Sequence, residues 1–303
     1  MSSSSHSNTY EQLLGEVKAS WKPLPDKPEE TAEGVLNALW LTAAGVPTSV
    51  ENAAGKPLPE LDSEAQARLR QLLDKRISGV PLAHLTERQS FCGVELIAGP
   101  GALIPRKETE IVGRAALSKL KSLVAERGQA LVLDVCTGSG NLALAYAFSE
   151  PRCRVFGADL SQDAVDLAGR NLQFTGLGDR VEFRQGDLLD PFESPEFLGR
   201  VDLLSCNPPY ISSRKVPTMA REISAFEPEL AFNGGPFGVS ILTKLIRNAP
   251  RFLKPDSWLC FEVGLGQGPV LAKQLQNSEA FSQVETHLDQ AGEIRAMSGR
   301  TKS

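Results

Sequence analysis

A chain of 303 residues with 41% hydrophobic and 23% charged side chains holds enough apolar material for one large or two modest cores. Its formal charge of −5 argues against broad electrostatic binding to nucleic acid or an anionic membrane, because either needs a surplus of Lys and Arg on some face. No apolar run approaches the roughly 20 residues that span a bilayer, and the Ser-rich start lacks the apolar stretch of a signal peptide, so a cytoplasmic location is expected.

In chain order, residues 1–7 are small and polar and read as disordered. From residue 11 to about 79, apolar side chains recur at helical spacing, as in Val35, Leu36, Leu39 and Trp40 and again in Leu69, Leu72, Leu73 and Ile77. That pattern predicts a small helical domain, in which Trp21 and Trp40 have no assigned place. His84, with no partner evident, reads as a loop or surface histidine. Residues 91 to 104 are short, β-prone and punctuated by glycine, which predicts a hairpin or an extended connector. The expected division is a helical domain over 1–88, a β-hairpin connector over 89–105 and a third, larger domain over 106–303.

In that third part, short apolar runs at 130–135, 154–159, 181–186, 201–206 and 258–263 alternate with amphipathic helix candidates near 141–149, 162–174 and 238–253. Near-continuous apolar strands separated by helices predict an α/β fold whose mostly parallel sheet is covered on both faces. Such sheets bind ligands beyond the carboxyl ends of their strands, where strand order reverses.

Asp134-Val135-Cys136-Thr137-Gly138-Ser139-Gly140 follows the first of these strands and opens a helix. Glycine at 138 and 140 allows a tight turn and brings a ligand against main-chain N–H groups. The third glycine of a dinucleotide loop and the GK[ST] of a phosphate loop are both missing, so redox and phosphoryl transfer lose ground. Asp159, before Leu160, ends the second strand, where a carboxylate can accept from both ribose hydroxyls of an adenosine. Asp187, before Leu188, ends the third, where an acid can accept from the adenine amine while the apolar neighbour covers the ring. Each Asp alone reads equally well as a helix N-cap; together with the glycine turn they form one cofactor constellation.

At the end of the fourth strand stands Asn207-Pro208-Pro209-Tyr210. Two prolines remove two backbone donors, leaving carbonyls free to accept. The Asn207 oxygen and a carbonyl of the proline segment can grip both hydrogens of an NH₂ group while Tyr210 packs on the plane. Alignment of a poorly nucleophilic nitrogen is then the catalytic device, and no general base is assigned. The five cysteines form no CxxC pair and read as reduced, mostly buried thiols. With only three histidines at no ligand spacing, no metal is expected.

These motifs resemble those of the HemK-type protein-(glutamine-N5) methyltransferases, whose best-known members modify the glutamine of the GGQ motif in peptide chain release factors. The likeness spans about residues 76 to 303. Its landmarks are Gly79 to Thr86, Leu103-Ile104-Pro105-Arg106-Lys107-Glu108-Thr109-Glu110, the 134–140 loop, the Asn207 tetrad, Glu227 to Ala231 with Gly234-Gly235, and the 289–300 stretch. The resemblance implies a Rossmann-like seven-stranded class I methyltransferase domain behind a helical N-terminal domain that helps recognise the substrate protein. It implies S-adenosylmethionine as cofactor, S-adenosylhomocysteine as product and a release factor as partner in translation termination. Cys136 to Gly140, Asp159, Leu188 and Asn207 would then contact the cofactor, Asn207 to Tyr210 would hold the acceptor amide, and Arg106, Thr109 and Glu110 would support the site entrance. An alternative for the last three is a set of surface charges at a helix start. The family usually carries glycine where Cys136 stands, and a tyrosine and a glycine at His84 and Glu87. The open alternatives are another protein or a small-molecule amide or amine as acceptor, and a non-catalytic scaffold. Methylation of adenine in nucleic acid, which also uses NPPY, is disfavoured by the acidic charge and the lack of a basic recognition region.

Overall fold

The computed structural model describes residues 8–20, 22, 24–214, 216–218, 220–235 and 238–303 in full, and 2–7 as backbone only. The reading of 1–7 as disordered and the unplaced Trp21 therefore lie outside the fully described residues. Five helices come first: α1 (Ser2–Ser20), α2 (Ala32–Ala43), α3 (Val50–Ala53), α4 (Ser63–Ile77) and α5 (Leu82–Thr86). Side chains cap three of them at the N-terminus. Thr31 Oγ1 accepts from Gly34 N at 3.0 Å, Ser49 Oγ from Asn52 N at 3.4 Å, and Asp62 Oδ1 from Ala65 N at 2.7 Å. Each cap contributes about 1 kcal/mol by satisfying an orphan donor. The apolar stripes bury Val35, Leu36, Leu39, Leu69 and Leu73 in one core, where Trp40 finds its place with Nε1 donating to Pro59 O at 2.9 Å.

β1 (Arg88–Phe91) and β2 (Val94–Ile97) pair antiparallel across Cys92-Gly93, whose φ values of 47° and 81° match the primed two-residue turn that suits strand twist. Then follow α6 (Thr109–Arg127), β3 (Ala130–Val135), α7 (Asn141–Ser149), β4 (Cys153–Asp159), α8 (Gln162–Thr175), β5 (Val181–Gln185), β6 (Val201–Cys206), α9 (Arg221–Ser224), α10 (Ser240–Asn248), β7 (Leu253–Glu262), α11 (Gly268–Gln276), β8 (Phe281–Leu288) and β9 (Ile294–Thr301). Seven strands form one sheet in the order β5-β4-β3-β6-β7-β9-β8. The first five are parallel; β9 runs antiparallel to β7 and to β8. One face packs on α6 and α7, the other on α10 and α11, and the central strands are buried on both. This is the expected Rossmann-like seven-stranded architecture. The strand order reverses between β3 and β6, so the crevice opens above their carboxyl ends.

Three sequence expectations are corrected. The helix expected over 238–253 stops at Asn248 and passes through a 3₁₀ turn at Ala249–Arg251, because Pro250 has no N–H to continue it. β7 begins at Leu253 rather than 258, its pairing with β6 shifting register between Val201 and Leu203. The apolar runs mark five strands where the sheet has seven: β8 is an edge strand with few buried positions, so it carries no apolar run. Among the described residues, no helix is long and apolar enough to cross a membrane.

Candidate active site

Two cavities open above the sheet. The first lies on the tips of β3, β4 and β5. Of the expected cofactor residues, Cys136, Gly138, Asp159, Leu160, Asp187, Leu188 and Asn207 line it; Asp134, Thr137, Ser139 and Gly140 are not among its lining residues. Asp134 is fully buried, with Oδ1 accepting from Ser205 Oγ and Oδ2 from Thr137 Oγ1, both at 2.6 Å. It braces β3 against β6 and the turn. Burial pushes its carboxyl up to about 6, against the two hydroxyl hydrogen bonds. Gly140 has φ 80°, and a Cβ there would lie 2.7 Å from the Phe183 ring, so both space and conformation call for glycine.

The Asp159 carboxylate holds the turn in place: Oδ2 accepts from Gly138 N at 2.9 Å and Oδ1 from Ser161 N at 3.0 Å. Burial raises its pKa, and these backbone donors oppose the rise. Asp187 is about half exposed and accepts from Lys244 Nζ at 2.6 Å. Cys136 and Leu188, both on the wall, have φ of 56° and 51°. Left-handed backbone at a non-glycine residue costs roughly 1 kcal/mol and is concentrated at ligand sites. Gly101, Ala102 and Leu103 form one further side of the cavity, and Pro228, Leu230, Ala231 and Asn233 another.

The second cavity is lined by Asn207, Pro208, Tyr210 and Arg106, with Asp26, Leu103, Glu108, Ile223 and Phe232. Leu103, Asn207 and Ala231 belong to both cavities, so Asn207 stands in their common wall. Its Nδ2 donates to Thr109 Oγ1 at 3.2 Å. Arg106 is only 8% exposed and does not behave as a surface charge: Nη1 donates to Ile104 O at 3.0 Å, Nη2 to Glu227 Oε1 at 2.5 Å, and Nε pairs with Asp26 Oδ2 at 3.1 Å. Thr109 is likewise buried. Glu110 turns instead to the hairpin, accepting from Cys92 N at 3.1 Å and pairing with Lys107 and Arg114, and it lines neither cavity. The tetrad's carbonyls are not all free: Gln267 Nε2 donates to Tyr210 O at 3.0 Å.

A model for a methyltransferase domain matches residues 132–226. A release factor glutamine methyltransferase of Thermodesulfovibrio yellowstonii is 34% identical over 242 residues, covering 79% of this chain and 83% of the relative. One of Streptomyces coelicolor is 38% identical over 207 residues, covering 68% and 71%. The chain belongs to the release factor glutamine methyltransferase family. It is an enzyme, a methyltransferase that depends on S-adenosylmethionine. In solved structures the hMettl16 catalytic domain in complex with MAT2A 3'UTR hairpin 6 shares the fold, with a TM-score of 0.53 and 12% identity, over 80% of this chain and 83% of that one.

Cys136 has a left-handed φ of 56°, a conformation that glycine adopts more readily than cysteine. His84, expected on a loop or at the surface, sits in α5, mostly covered, with its Nε2 buried without a partner. Burial lowers its pKa. All five cysteines are free, three of them buried. The sequence reading gave no individual role to Glu227, named only within a landmark stretch, to Glu262 or to Gln267, which respectively bond to Arg106, lie buried at the end of β7 and hold the Tyr210 carbonyl. Glu262 did carry a signal, since it is an acid at the carboxyl end of an apolar strand, as Asp159 is.

Proposed function

We propose that this chain transfers the methyl group of S-adenosylmethionine to the side-chain amide nitrogen of the glutamine in the GGQ motif of peptide chain release factors. The observation that carries this reading is the placement of Asn207 in the wall shared by two cavities, one edged by acid-tipped strands and the other by the proline segment and Tyr210. In this reading Asp159 accepts from the ribose hydroxyls, Asp187 and Leu188 hold the adenine, and Cys136 to Gly140 present backbone to the amino-acid end. Asp134, Thr137, Ser139 and Gly140 act by shaping that turn. Asn207 Oδ1 and a proline carbonyl grip the glutamine NH₂, and Pro208, Pro209 and Tyr210 set its plane over the sulfonium methyl. When bound there, S-adenosylmethionine would supply the methyl group and leave as S-adenosylhomocysteine, with the amide proton passing to solvent. Orientation of the reacting pair supplies most of the acceleration.

Arg106 and Thr109 support the entrance, and residues 1–88 with the 89–105 connector present the release factor to the 106–303 methyltransferase domain. Incubation with labelled S-adenosylmethionine and a release factor, followed by peptide mass mapping, is expected to show one added methyl on the GGQ peptide. Cofactor binding without any incorporation into that peptide rejects the substrate assignment.

A further inference from the structure

Cys206 pairs with Phe261 across β6 and β7, so the two strands end nearly level and the turn after β7 lies beside the tetrad. Gln267 closes that turn and leads into α11: its N–H donates to Gly264 O at 3.0 Å, and its C=O accepts from Leu271 N at 3.2 Å. The backbone is therefore fixed on both sides, and the side chain reaches out from a firm base. Its Nε2 donates to Tyr210 O at 3.0 Å and to Gly238 O at 3.2 Å, while Oε1 accepts from Gly264 N at 2.9 Å. A backbone carbonyl can only accept and a backbone N–H can only donate, so one orientation of the amide alone satisfies all three partners.

The three loops meet at close range. A Cβ on Gly238 would lie 2.1 Å from Tyr210 O, and one on Gly264 2.9 Å from Tyr210 Cδ2, so the approach calls for glycine at both positions. From the other side, Ile211 N donates to Phe232 O at 2.9 Å and Gly234 N to Ile211 O at 2.8 Å. Residues 210 and 211 are thus held between Gln267 and the 232–235 segment. We propose that Gln267 is a positioning residue for methyl transfer: its side-chain amide fixes the Tyr210 carbonyl and the direction of the ring, and with them the plane in which the tetrad holds the acceptor nitrogen. The bond also removes a rival. A Tyr210 carbonyl without its donor is a spare acceptor beside the proline segment and competes for the NH₂ group that the tetrad has to grip.

This inference rests on the reading of the tetrad as the grip on the acceptor, and two readouts separate its failure from the failure of that reading. The first needs no substrate. Hydrogen exchange of the Ile211 and Gly234 amides is followed in the full chain by mass spectrometry of the peptides that contain them, and Gln267→Met is expected to speed it by roughly tenfold or more. The second is methylation of a release factor, in which Gln267→Met is expected to lower kcat by about 10- to 100-fold with the KM for S-adenosylmethionine within about threefold. Gln267→Glu supplies a rescue. Its carboxylate would face two carbonyl oxygens, which raises its pKa, and only the protonated form donates to them. Its kcat relative to the parent is therefore expected to rise severalfold from about pH 8 to about pH 6, while the ratio for Gln267→Met stays flat. Should Gln267→Met fail to fold, the pH profile of Gln267→Glu decides. Unchanged exchange of both amides in Gln267→Met overturns the proposal, as does faster exchange with kcat within about twofold of the parent. A flat ratio for Gln267→Glu, or a loss of S-adenosylmethionine affinity as large as the loss of kcat, makes Gln267 a general brace of the fold and overturns it too. A parent chain that methylates no release factor rejects the substrate reading alone, and the exchange measurement then decides.

Discussion

The two cavities meet at Asn207 but are built in different ways. The floor of the first, between the sides given by 101–103 and 228–233, is made of strand ends and the turns that follow them, so that Cys136, Gly138, Asp159 and Leu188 each sit within a few residues of the strand that places them. The second is an assembly. Asp26 reaches Arg106, Arg106 reaches Glu227, and behind them Lys27 and Arg76 pair with Glu222 of α9 at 2.6 and 3.0 Å. Local geometry makes the floor of the one, and ion pairs between segments up to about two hundred residues apart make the other. A locally built site tolerates the loss of a distant contact, whereas an assembled one depends on every joint.

The sharpest way to break this contrast is to cut a joint. Arg106→Met leaves the Glu227 carboxylate, whose side chain is fully buried, without its cation and is expected to cost about 3–5 kcal/mol in urea unfolding. A loss under about 1 kcal/mol would show that the second cavity does not depend on that pair. Next comes the shared wall. Asn207→Ala is expected to lower turnover by roughly 10²-fold or more while the cofactor dissociation constant stays within about threefold, read by single-turnover kinetics and calorimetry. Equal rates in variant and parent would mean that another group orients the acceptor.

In the first cavity the effect is expected on affinity. Asp159→Ala removes an acceptor from the proposed ribose position and from Gly138 N, and cofactor binding should weaken by roughly 10- to 100-fold. An unchanged constant would remove the ribose assignment.

The smallest effect concerns His84, which faces Glu227, Lys27 and Arg106 at the junction. Burial holds its pKa below its ordinary 6.5, so as the pH falls past that value the unfolded chain takes up a proton that the folded chain refuses. Stability contributed by the neutral ring is thus fully present above pH 6.5 and is lost below it, down to the folded pKa. Unfolding curves at pH 7.5 and 5.5 should show a larger decline in the parent than in His84→Gln; parallel declines would leave His84 without a part in the junction.

The same contrast separates what was legible in the residues from what was not. The glycine turn, Asp159, Asp187-Leu188 and the Asn207 tetrad could be read because a parallel strand followed by a turn puts whatever residue ends it at the crevice. Order along the chain and position in space coincide there. Arg106 and Thr109 could be named only through the family resemblance, and their burial reverses the alternative of surface charges at a helix start. Glu110 was named with them, yet its carboxylate serves the hairpin turn, since one helical residue further points to a different side.

By itself the sequence determined the five parallel strands, the glycine-bearing turn, the acids at the strand tips and the polar, proline-stiffened segment after β6, because each follows from local periodicity and from the conformational limits of glycine and proline. Only the tertiary structure decided that β8 and β9 close the sheet, that Arg106 is buried between Asp26 and Glu227, and that Glu262 at the end of β7 is buried. The physical reason is that a buried charge is tolerated only where partners from elsewhere in the chain surround it, and such partners have no fixed spacing in sequence.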